Sequence, residues 1–224
     1  MYRVSLRPAA YLGIRVELLK LIDDLSPRFT LRKKRDSFLM KVLSYVLFFK
    51  KDFLRHRATT LYPTIYTPEF WGKHKRYRAT ELEILAHEYV HLYDRKRLGW
   101  LYNILYLSPQ LFSLLSLVAI WNIWFLLFLL FMLPVPSPGR AWLEFRAYRM
   151  NIAYKYWTKN KKYDMMVIIK QFVGTDHYYM APFKKSLKKW FNEEYEKIKN
   201  DQLSPELVMV KKAVERGMSV RAIH

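Results

Sequence analysis

The chain has 224 residues, 52% hydrophobic and 17% aromatic, which excludes a disordered chain and is enough for one domain with a sizeable core. Cysteine is absent, so disulfides, thiol nucleophiles and cysteine-based zinc clusters are ruled out while the redox compartment stays open. Lysine and arginine number 39 against 19 acidic residues, a formal charge of +20 that either serves solubility or meets a polyanion such as nucleic acid or anionic lipid.

In chain order, the first stretch shows no sustained apolar run of the secretory kind, and localisation stays open. Ile14, Leu18, Leu21, Ile22 and Leu25 recur at helical spacing, which predicts a helix over Gly13 to Leu25, ended by Ser26-Pro27. Arg28 to Arg35 reads as a basic connector. Leu39, Val42, Leu43, Val46 and Phe49 predict a second helix over Ser37 to Phe49. Ala58 to Pro68 is rich in Thr, Tyr and Ile and reads as a strand. Pro63 within it argues for an edge position, because proline cannot donate to an inner ladder. Thr80 to Leu98 reads as a helix opened by a Thr80/Glu83 capping box and closed by Gly99. Leu101 to Leu133 is almost wholly apolar, with breaks at Ser108-Pro109 and Asn122. Ala141 to Tyr156 is a further helix. From Trp157 onward, lysine-rich and aromatic residues alternate in two or three helices, including Met165 to Phe172 and Pro182 to Lys199.

The chemistry sits in H-E-Y-V-H, His87 to His91. Histidines at i and i+4 lie one above the other on a helix face, so both imidazoles reach one tetrahedral ion. Glu88, beside them, can take a proton from a metal-bound water and deliver it to a leaving amine. A catalytic zinc needs a third protein ligand, and Glu144 in W-L-E-F-R-A-Y-R-M-N supplies one; otherwise it is a surface residue among Arg140, Arg146 and Arg149. Tyr148 shares the Glu144 face, and Asn151, a turn further, can bond neighbouring groups. Asp94 lies on the face of the two histidines. It either accepts the free N–H of a ligand histidine or pairs with Arg95 or Arg97 at the helix end.

The order of edge strand, HExxH helix, apolar excursion and E-x-x-A helix resembles the gluzincin branch of zinc metallopeptidases, especially its short single-domain members. IYTPEFW, AHEYVHLYD and EFRAYRMN also resemble small predicted metallopeptidases carried by tailed bacteriophages. The resemblance runs from about Thr59 to Tyr156. It implies Zn2+ on His87, His91 and Glu144, Glu88 as general base, and peptide or protein as substrate. One group of short gluzincins places Asp four residues after the ligand Glu, where this chain has Tyr148. By the same resemblance, Thr64, Ile65, Tyr66 and Thr67 form the strand that pairs with an extended substrate. His177 or Tyr178 would stabilise the oxyanion, unless these aromatics simply pack in the core.

The expected fold is α+β and mainly helical: one zincin-like domain over residues 1–224, with a small sheet and a core at about 59–156. An apolar helical hairpin spans 101–133, and 157–224 is a basic-aromatic helical extension packed on the core. Because His91 precedes the apolar stretch and Glu144 follows it, the chain must return to its starting side, and 33 residues are too few for two spans of about 20. The hairpin then dips into one membrane leaflet, packs on the chain, or docks into a protein assembly. The expected activity is zinc-dependent peptide hydrolysis. The alternative is a non-enzymatic basic component of a phage particle or membrane-associated assembly that keeps the scaffold.

Overall fold

The computed structural model describes residues 8–46, 58–133, 135–174 and 179–219, and the protein is mainly helical with one small mixed sheet. Helix α1, Pro8–Leu25, buries Ala10, Tyr11, Ile14, Leu18 and Ile22, the stripe expected of a surface helix. The basic connector contains strand β1, Thr30–Lys33, followed by a 3-10 turn and helix α2, Phe38–Val46; the end of the expected second helix lies outside the described residues.

The stretch read as one strand is two. Strand β2, Thr59–Leu61, turns through Tyr62 and Pro63 into β3, Thr64–Thr67. The sheet order is β1-β3-β2, with β3 parallel to β1 and antiparallel to β2. This corrects the expected edge position of Thr64, Ile65, Tyr66 and Thr67. Both sides of β3 are paired; Pro63 sits in the turn before it, where its carbonyl accepts from the Thr30 amide and its missing N–H costs no ladder bond.

Helix α3, Arg78–Leu98, carries the HExxH motif. It does not start with the Thr80 capping box. A 3-10 turn, Lys75–Tyr77, runs directly into it, so Thr80 already lies inside the helix, and Tyr77 caps it without a side-chain bond. Gly99 ends it at φ 59, a left-handed conformation glycine adopts without a Cβ penalty. Helix α4, Trp100–Leu107, follows, then two 3-10 arms, Gln110–Ile120 and Ile123–Met132. The chain bends by 83° between α4 and the first arm. The arms pack on each other, and the Phe112 and Phe131 rings lie 5.4 Å apart, which pairs the start of one arm with the end of the other. The apolar excursion is therefore an antiparallel hairpin.

Helix α5, Pro138–Lys159, is capped by the Ser137 hydroxyl, has proline in its first turn, and ends on Asn160 at φ 47. Helices α6, Met165–Val173, α7, Lys184–Lys199, and α8, Pro205–Ser219, complete the described chain. Helix α8 packs along α1, and the backbones approach so closely at Gly13 and Gly217 that neither has room for a Cβ. One apolar cluster runs continuously from Tyr11 and Ile14 through Leu85 and Val90 to Ile169, Phe191 and Val214. The C-terminal helices thus share the core that supports α3 and α5.

Candidate metal centre

Helices α3 and α5 pack against each other, with Ala86 and Ala147 fully buried. Small side chains at a helix contact let the two axes come close. That approach brings Glu144 to the histidines. His87 Nε2 lies 3.7 Å from Glu144 Oε2, and His91 Nε2 lies 3.7 Å from Glu144 Oε1. One donor atom from each of the three residues falls within 4.8 Å of the others, so the group can hold a metal ion.

The separations can be tested against an ion. Ligand bonds of about 2.0–2.2 Å at tetrahedral angles put donor atoms roughly 3.3–3.6 Å apart. The two 3.7 Å separations, which go to different oxygens of Glu144, are too long for direct hydrogen bonds, and the three donors, spread over up to 4.8 Å, would have to draw together by about 1 Å to grip a cation. Two imidazoles and a carboxylate suit a divalent transition metal. His91 and Glu144 are buried and His87 nearly so, so any charge held there is shielded from water. Burial alone would push the pKa of His87 down; the carboxylates of Glu144 and Glu88 outweigh it and hold the imidazole above its usual value.

The remaining expected residues divide. Asn151 Oδ1 lies 2.9 Å from His87 Nδ1, so it accepts that N–H and fixes the tautomer that turns Nε2 toward Glu144. Tyr148 packs edge-on against the His87 ring at 5.0 Å. Glu88 is buried, and its Oε2 accepts a 2.6 Å hydrogen bond from the Thr60 hydroxyl on β2. Asp94 is fully buried and accepts from Arg146 Nε at 3.1 and 3.0 Å, so its oxygens serve α5 rather than a ligand histidine or the helix end. Burial raises the Asp94 carboxyl above its usual range, and the Arg146 guanidinium opposes that. His91 Nδ1 is buried with no hydrogen-bond partner among the described residues. His177 and Tyr178 lie outside the described residues. Thr64 to Thr67 lie inside the sheet; the strand that touches the centre is β2.

Two residues escaped the sequence reading. Tyr102 and Tyr106 on α4 stack at 5.8 Å, and both rings stand edge-on to His91. The Tyr106 hydroxyl donates to Glu144 Oε1 at 2.9 Å, and Arg140 Nε donates to the Tyr106 carbonyl at 2.8 Å. Burial and the Glu144 carboxylate push both phenols well above their usual pKa, which keeps Tyr106 a protonated donor to Glu144. Their i, i+4 spacing directly after the HExxH helix was the available signal. The root of the apolar hairpin is therefore part of the wall of the centre.

No protein-family model matches the chain, and no curated protein or solved structure does either. What the chain shares with metal-binding proteins is thus carried by its own three converging side chains, His87, His91 and Glu144.

Proposed function

We propose that the protein is a zinc-dependent metallopeptidase of the gluzincin kind. The observation that carries this is the convergence of His87, His91 and Glu144 from two helices, with the Glu88 carboxylate on the same helix as the histidines. In this reading the three residues hold zinc, which when bound acidifies a water and polarises a substrate carbonyl. Glu88 is the base. Thr60 binds its Oε2, leaving Oε1 to take a proton from the attacking water and pass it to the leaving amine. Asn151 and Tyr148 keep His87 in place, and Tyr106 does the same for Glu144. An extended peptide would pair with β2, the edge strand that reaches Glu88, in place of β3.

A second reading, an assembly component that keeps this scaffold without turnover, is favoured by the charge of +20 and the exposed hairpin. One experiment separates them: zinc content and peptide-library hydrolysis of the parent beside Glu88→Gln. An amide cannot carry the proton, so the variant should retain zinc and the fold while turnover falls roughly 10²–10⁴-fold. Zinc in both with equal turnover would remove Glu88 from the mechanism. Zinc in both with no turnover in either would favour the assembly component.

A further inference from the structure

From Trp100 to Gly139 no residue carries a charge, and neither 3-10 arm buries a single residue. The pattern of exposure follows the three-residue period of the 3-10 helix. In the second arm Phe125, Phe128 and Phe131 form one row, stacked ring on ring and partly covered. The other two rows, Ile123, Leu126, Leu129 and Met132 beside Trp124, Leu127 and Leu130, are all exposed. A protein groove covers one face of a helix. Apolar side chains on two of three faces call for a solvent that surrounds the arm, and hydrocarbon is such a solvent. The ladders of both arms are closed internally, as a lipid environment requires.

The root of the hairpin has a different chemistry. On the entry side, at the far end of α4 from the arms, Lys96, Arg97 and Trp100 are exposed. On the exit side the Ser137 amide donates to the Met180 carbonyl at 3.1 Å, which places the start of α7 there; Phe183 is exposed, as are Lys184, Lys185 and Lys188. Cations with exposed aromatics at the base of an uncharged hairpin match the headgroup layer of an anionic membrane. No single described helix is long and apolar enough to cross a membrane. At about 2.0 Å rise per residue, arms of 11 and 10 residues reach about 20–22 Å, more than a leaflet of roughly 15 Å and less than the full core of about 30 Å.

We propose that the hairpin Gln110 to Met132 inserts, tilted, into one leaflet of an anionic membrane, with Lys96, Arg97, Trp100, Phe183, Lys184 and Lys185 at headgroup level. The metal centre then sits at the membrane surface, since Tyr106, which binds Glu144, is at the hairpin's root. This does not depend on whether the centre turns over peptide.

The test uses the full chain, transferred from detergent to vesicles of phosphatidylcholine with or without phosphatidylglycerol. The parent should float with the vesicles, more strongly when they are anionic. Leu127→Asp with Leu130→Asp, both on exposed faces, should lower partitioning roughly a hundredfold or more. Lys184→Glu with Lys185→Glu should weaken the preference for anionic vesicles while keeping binding through the hairpin, and an unchanged preference would take these lysines away from the headgroups. Since the chain has no cysteine, Asn122→Cys gives a unique label at the hairpin tip. The tip should be protected from impermeant maleimide added outside or sealed inside, whereas Lys96→Cys should be labelled from outside. A tip labelled from inside would show a crossing and overturn the single-leaflet insertion. A parent that stays off every vesicle would overturn the lipid proposal, whether it remains a monomer or assembles with a protein through the hairpin.

Discussion

Glu144→Gln is the perturbation that isolates the metal centre, because it keeps the shape of the side chain and an oxygen for the Tyr106 hydroxyl while removing the anion that faces both imidazoles. Zinc binding only the folded protein at a hundred times its dissociation constant stabilises by about 2.7 kcal/mol. For a chain of this length 1 kcal/mol moves the melting temperature by about 2–4 °C, so the parent should gain roughly 5–11 °C over a chelator-treated sample. The ion would tie α3 to α5 across the whole hairpin, which supports a global rather than a local effect. If the variant binds a hundredfold more weakly, the same zinc concentration yields only about 0.4 kcal/mol, or about 1–2 °C. Calorimetry with matched zinc and chelator samples reads both numbers. An equal shift in parent and variant would mean that zinc stabilises the protein from another site. A parent with no shift and no bound metal would refute the centre itself.

Three further outcomes follow from contacts around it. Asn151→Leu removes the acceptor for His87 Nδ1 and should weaken zinc affinity about 10–100-fold in a competition with a chromophoric chelator, with little change in unfolding of the zinc-free protein. Thr60→Val frees the Glu88 oxygen and should leave zinc content unchanged while lowering kcat about five- to tenfold, the size of one hydrogen bond of about 1–1.5 kcal/mol; an unchanged kcat would take Thr60 out of the positioning of the base. Gly139→Ala would put a Cβ 2.6 Å from the Leu105 carbonyl oxygen, and this overpacking at the hairpin's root should cost about 1–3 kcal/mol, seen as a lower melting temperature.

What the sequence made legible was local. His87, Glu88 and His91 follow from one helical turn, and Glu144 from the requirement that a catalytic metal have a third ligand, so the donor set could be named before any packing was known. The hairpin followed from the same closure argument. What stayed hidden depends on partners distant in the chain. Strand β1 lies in a run of basic residues with no alternating pattern, and only its parallel pairing with β3 makes it a strand. That pairing turned a supposed edge strand into the central one and passed the edge to β2. Asp94 sits one turn from His91, yet Arg146, on a helix entered after the hairpin, claims its carboxylate. Thr80 and Glu83 had capping spacing, but the preceding 3-10 turn extends the helix past them, and Glu83 instead faces Tyr163 in a setting whose desolvation raises its pKa.

The hairpin begins and ends at one doorway. The Ser137 hydroxyl meets the Ser108 carbonyl, and Arg140 reaches back to Tyr106 and to the Gln110 amide oxygen. Geometrically, the residues between are a detour: the protein core sees only the two doorposts and is indifferent to how far the chain travels outside them. Closure entropy grows only slowly with loop length, so such a detour can lengthen, shorten or change its composition at little cost to the rest of the fold. The position of Glu144 is set by the packing of α5 on α3 and by the doorway that starts α5, and the reach of the protein beyond its own surface is set by the detour. The two properties can therefore be altered independently, one by mutations at the doorposts and the other by mutations beyond them.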